Sequence, residues 1–208
     1  MVLKCTPVVF AGLVLGAFLV AGCSSGNISP SNPLDALSMS ENEDEFVTMA
    51  QNNLLIMSAG ANNFDQLFAF YKIGTLSGDA NSQKFMQQFR FEYQGFDNLI
   101  GTTYSPGLPT QLGAAGTKLG KEFYHYNLKN ESLLAWRANF LGNLFGYGRS
   151  DDSGELYDLQ EHGYYLIESY DKGDYSAANR YADKFRTSLS LYTSTLARSS
   201  EDLRTLRP

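Results

Sequence analysis

From Tyr175 to Leu196 the large and small apolar side chains return every three or four residues: Tyr175, Ala178, Tyr181, Phe185, Leu189, Tyr192 and Leu196. That period puts them on one face of an α-helix, since successive residues of a helix turn by about 100°. No stretch of the chain alternates with period two over a useful length. A sheet would need that alternation to bury one face. The pattern therefore predicts an all-α fold, a bundle of six or seven helices built from helical hairpins.

The remaining helices are read from the same period and from their end signals. Ser40 and Glu43 have the spacing of a capping box, and Phe46, Ala50, Leu54 and Met57 follow on one face, with an end expected near Gly60. A short helix over 63–73 presents Phe64, Leu67, Phe68 and Tyr71, punctuated by Gly74 and Gly78. A longer one over 81–100 carries Phe85, Phe89, Phe96 and Ile100. After the Gly- and Pro-containing loop "GTTYSPGLPT", a helix is expected from Pro109 or Thr110 to Asn127. Asn130 can cap the next, to Tyr147, and Asp152 with Glu155 has capping-box spacing for another, to Asp171. Gly173 suits a left-handed C-terminal cap and Asp174 the N-cap of the last helix. Residues 199–208 are polar and read as a fraying tail.

The N-terminus has a different character. Lys4 is its one charge before an uncharged run, Val8 to Val20, which is too short for a comfortable membrane span of roughly 20 residues. A basic start, an apolar core and small residues at the end are the parts of a secretory signal peptide. The run closes on Val20-Ala21-Gly22-Cys23, which resembles the lipobox of bacterial lipoproteins. The resemblance implies cleavage before Cys23, acylation of its thiol and of the new amine, and a lipid anchor of more than one acyl chain. Single chains bind membranes only marginally, whereas several hold well. Ser24, standing where the family places Asp for inner-membrane retention, implies the outer membrane and a periplasmic face. The domain plan is then 1–22 signal peptide, 23–39 flexible tether, 40–198 one helical domain and 199–208 tail.

Cys5 and Cys23 are the only cysteines, so the exported domain has no disulfide and must rest on its apolar core. The formal charge is −6 and becomes more negative when Lys4 leaves, which offers no footprint for nucleic acid. With 13 Tyr and 14 Phe the chain is rich in rings; bulky core packing accounts for them, and a sugar-stacking surface is the lesser reading.

Three constellations bear on function. "YDKGDYSAANRYADKF" is similar to the turn and second helix of a tetratricopeptide repeat, with Gly173, Tyr175 and Ala178 in matching positions, but Leu166 stands where the repeat wants Gly. The likeness covers one hairpin, and a solenoid needs about three repeats. Gly116 and Gly120, and then Gly142 and Gly146, share the four-residue spacing that lets two helices approach closely, so they are candidate helix-contact positions. Glu122 and His125 form a Glu-x-x-His pair, and Asp158 lies one turn before the other histidine, His162. Together these four are the candidate metal ligands. A second Glu-x-x-His pair is missing, because Leu159 occupies the position a glutamate would need, and solvated polar faces account for the residues more simply.

No nucleophile elbow, metalloprotease motif or phosphate loop is present, so no catalytic residue and no cofactor is assigned. The sequence therefore reads as a non-enzymatic, lipid-anchored helical protein working through contacts with an envelope protein partner. The alternative is a bundle that binds a small ligand or a metal.

Overall fold

The computed structural model describes residues 43–100, 104, 106, 128–145 and 154–206. All fall within one of two units of the chain, Asn32–Pro208. The described residues form five helices and no strand: α1 (Glu43–Tyr71), α2 (Ala80–Ile100), α3 (Glu131–Phe145), α4 (Glu155–Asp171) and α5 (Tyr175–Thr205). The fold is all-α as expected, but the count among the described residues is five. The segment expected to form a helix up to Asn127 lies outside them.

One cause of the lower count is that the two N-terminal helices are a single helix of 29 residues. Gly60 does not stop it. One glycine costs a helix about 1 kcal/mol against alanine, and α1 recovers more by burying Met57, Ala61, Phe64, Leu67 and Phe68 along a continuous face. Gly60 instead serves a contact, since a Cβ there would come within 2.9 Å of Cδ2 of Phe96. The end of α1 falls at Tyr71, short of Ile73. Lys72 takes a left-handed conformation, φ 52°, while the amides of Lys72 and Ile73 reach the carbonyls of Ala69 and Phe68. That is the Schellman closure, with lysine where glycine is usual.

α1, α2 and α5 share an aromatic core. Phe185 of α5 sits 5.0 Å from the rings of both Phe64 and Phe89, and Phe68 lies 4.9 Å from Phe85. All five are buried, each worth about 1.5–3 kcal/mol relative to exposure. Most of these contacts are edge-on or tilted, the arrangements that ring quadrupoles favour.

The α4–α5 hairpin closes as its sequence indicates. Gly173 has φ 73°, its amide reaches the carbonyl of Tyr170, and that of Asp174 reaches Ser169. The Asp174 carboxylate accepts from the amide of Ala177 at 2.9 Å. This hairpin then holds the α1–α2 loop. Asn179 accepts from the amide of Leu76 and donates to its carbonyl at 2.8 Å, and the Tyr170 hydroxyl donates to the carbonyl of Ser77. Leu76 is thereby fixed in the core. Arg90 and Asp171 form an ion pair between α2 and the end of α4.

Asn130 caps α3 as expected, its side chain accepting from the amides of Ser132 and Leu133. Ser40 lies outside the described residues, and the Glu43 carboxylate accepts from the amides of Lys129 and Asn130, joining the starts of α1 and α3. The capping box expected at α4 is not formed. Gly154 is the N-cap, which makes Glu155 the first helical residue, not the third. Its carboxylate is turned toward α5, where Thr195 donates to it at 3.4 Å. The polar tail is also corrected, because α5 continues to Thr205 and buries Leu203. The Trp136 indole donates to the carbonyl of Ser199 at 3.0 Å, so α3 gives this last stretch a surface to pack on.

Candidate functional site

Of the four candidate metal ligands, Asp158 and His162 are described, and they stand one turn apart on α4. Glu122 and His125 lie outside the described residues, as does the lipidation candidate Cys23. Among the described residues no group of three or more His, Cys, Asp and Glu side chains is close enough to hold a metal ion. Gly142 is half-buried on α3, while Gly116, Gly120 and Gly146 are outside the described residues.

The α4 sequence places its side chains on two working faces. Leu156, Leu159, Gln160, Gly163 and Leu166 point into the core. His162 and Tyr165 face α5, while Tyr157 and Tyr164 face Tyr104. His162 Nδ1 is 2.8 Å from the Ser188 hydroxyl. Burial holds the imidazole below its usual pKa, partly opposed by Glu161 and Asp158, so at neutral pH it is an uncharged hydrogen-bonding group. Burial likewise raises Asp158, against the pull of His162. Ser188 stands on α5 and is buried against α4, so its hydroxyl is closed off from a substrate. The pair locks α4 to α5; it does not form a nucleophile and base.

Around it lies a group of tyrosines. Tyr165 and Tyr181 stack at 5.2 Å and 25°, with Lys184 Nζ 5.3 Å above the Tyr181 ring. Tyr104 packs on Tyr157 and Tyr164, each at 5.4 Å, and on Tyr165. Tyr104 and Tyr157 are buried, and Tyr164, Tyr165 and Tyr181 are half-buried against them, so the group is an edge of the core whose rim carries polar tips. Its signal was present in the spacing of Tyr157, Tyr164 and Tyr165, but only the fold adds Tyr104 and Tyr181.

A second polar group is internal. Asp97 is 3 % exposed and accepts from Gln160 Nε2 at 2.5 Å. Burial lifts its carboxyl to about 6, which the Gln160 hydrogen bond opposes. Tyr93 donates to the Gln160 backbone carbonyl at 2.7 Å, and its ring covers Gly163. Nearer α5, Glu155 Oε2 and the Tyr192 hydroxyl are buried without a hydrogen-bond partner. Sequence reading missed Asp97, although a carboxylate inside the stripe Phe89, Tyr93, Phe96, Ile100 was a visible anomaly.

Between α3 and α5 runs an open groove of about 480 Å³, with Trp136 and Phe140 at its floor and Asn139, Arg198 and Asp202 on its walls. No family model, curated protein or solved structure matches this chain. No described helix is long and apolar enough to cross a membrane.

Proposed function

We propose that the chain is a lipid-anchored helical protein of the bacterial envelope, held by Cys23 at the outer membrane, facing the periplasm and acting through protein contacts as a scaffold or accessory subunit. The observation that carries the reading is the uncharged run Val8–Val20 ending on Val20-Ala21-Gly22-Cys23, followed by a Ser-, Asn- and Pro-rich linker. Two features of the described residues agree with a contact role. The interior of the described residues is filled by large side chains, and the groove between α3 and α5 is open to solvent. Phe91 and Leu191, meanwhile, stand largely in solvent, where a partner could cover them.

A second reading is a ligand-binding bundle. The half-buried rims of Tyr164, Tyr165 and Tyr181 and the aromatic floor of the α3–α5 groove favour it, since such sites combine flat rings with a few placed polar groups.

The anchor is tested by intact mass of the membrane-extracted protein, which should begin at an acylated Cys23. Cys23→Ala should leave the chain uncleaved and without added acyl mass. An unmodified Cys23, or a Cys23→Ala chain processed and partitioning like the natural one, would refute it. The two contact readings separate in vivo: a photo-crosslinking residue at Phe91 or Leu191 should give one discrete protein adduct, and a ligand-binding bundle should give none.

A further inference from the structure

The outward face of α1 carries two exposed apolar ends and an uncharged middle. Between Phe46 and Tyr71 the helix carries a single charge, Asp65, and that residue lies off the outward line. Along that line run Leu55, Ala59, Asn62, Gln66 and Phe70, all exposed. The two large apolar members are the most exposed of the described chain, Leu55 at 68 % and Phe70 at 78 %. They stand at the two ends of a stripe about 22 Å long at the helical rise per residue. The middle is occupied by side-chain amides.

We infer that two copies of this chain pair through α1, antiparallel, with a two-fold axis beside Asn62, so that Leu55 of each packs on Phe70 of the other. The spacing closes on itself. An antiparallel register that sets Leu55 against Phe70 also sets Ala59 against Gln66 and brings Asn62 beside its own symmetry mate. A two-fold interface requires this reciprocity, since whatever one residue touches must touch it back. An amide both donates and accepts, so identical Asn side chains satisfy one another across the axis. A charged residue there would meet its like.

Charge selects the same occupant. On a chain of formal charge −6, most surfaces repel a second copy, and this neutral face does not. A lipid surface fits less well. It would strip water from Asn62 and Gln66 without returning hydrogen bonds, and the stripe has no Lys or Arg for the headgroups. The pairing goes beyond the scaffold reading and does not require the lipid anchor.

The test is light scattering on the full chain, purified in detergent from whichever cell fraction holds it, across a range of concentrations. The natural chain should be a dimer. Leu55→Glu or Phe70→Lys alone should each weaken association by roughly 30-fold or more, because the two-fold axis makes one substitution break the Leu55–Phe70 contact at both ends of the interface, with helical circular dichroism unchanged. The double variant should dimerise again, because the introduced opposite charges meet across the axis. A monomeric natural chain, single variants that still dimerise, or a double variant that stays monomeric would each overturn the pairing. So would a monomer whose binding to vesicles of phosphatidylethanolamine and phosphatidylglycerol is lost in the Leu55→Glu variant, which would assign the face to lipid.

Discussion

Gly163→Ala and Gly95→Ala are the same chemical change in two helix interiors, and the structure assigns them opposite signs. A Cβ at Gly163 would lie 2.7 Å from Cδ2 of Tyr93, closer still to its Cε2, and 3.1 Å from Cε2 of Phe185. Carbon atoms in favourable contact sit at about 3.5–4.0 Å. Tyr93 cannot swing aside cheaply, because its hydroxyl is tied to the Gln160 carbonyl at 2.7 Å and its ring stacks on Phe89. Phe185 is fully buried between Phe64 and Phe89. Overpacking of this kind costs about 1–3 kcal/mol. If the ring moves far enough to break its hydrogen bond, a buried hydroxyl adds roughly 1–3 kcal/mol. Alanine's helix propensity returns up to about 1 kcal/mol. The net expectation for Gly163→Ala is a loss of about 2–4 kcal/mol, or a fall in Tm of roughly 5–15 °C for a domain of this size. Gly95 has nothing within 4 Å of its Cβ position, so only the propensity term remains. Gly95→Ala should raise stability by up to about 1 kcal/mol. Thermal unfolding followed by circular dichroism reads both. A neutral or stabilising Gly163→Ala, or the same sign at both sites, would refute the claim that α2 and α4 meet through the Tyr93 ring on bare backbone.

Lys72→Gly should stabilise the domain by roughly 1 kcal/mol in denaturant unfolding, because Lys72 holds φ 52° and glycine takes that conformation without a Cβ clash. Asp97 supplies a pH test. Its carboxyl is raised from 3.8 to about 6 in the folded state, so the folded chain binds the proton more tightly than the unfolded one. The stability from that proton is complete below pH 4 and is lost as pH rises through 6. Asp97→Asn keeps an acceptor for Gln160 and removes the titration, so above pH 7 it should be more stable than the natural chain by up to about 3 kcal/mol. Equal stability of the two chains above pH 7 would show that the buried carboxylate carries no such cost.

Several features were legible in the sequence because their physics is local. Asn130 caps α3 through amides two and three residues on, and Asp174 caps α5 in the same way. Gly173 takes the left-handed turn that its place after α4 demands. Each depends on neighbours within one helical turn, so a short window of sequence contains both partners. The apolar period likewise determined that the described residues fold into helices, and it determined most of the buried faces of α2 and α5, although Tyr175 is exposed and Tyr181 half-buried. The lipid anchor proposed at Cys23 rests on four adjacent residues, Val20-Ala21-Gly22-Cys23.

What only the tertiary structure decided involves a partner far along the chain. Gly60 read as a helix end, since alone it is a weak breaker; Phe96 makes it a contact. Glu43 read as half of a capping box, but it reaches Lys129 and Asn130. Residues after Arg198 read as a fraying tail until Trp136 bonded to Ser199 and Leu203 found a core. Asp97 was visible as a carboxylate in an apolar stripe, yet its raised pKa follows from burial in the packed bundle, which the hydrogen bond from Gln160 of another helix opposes. The tyrosine cluster needed α5 and Tyr104 beside α4 before it existed at all. A propensity is worth a fraction of a kcal/mol per residue and packing is worth several, so wherever the two disagreed the long-range contact settled the outcome.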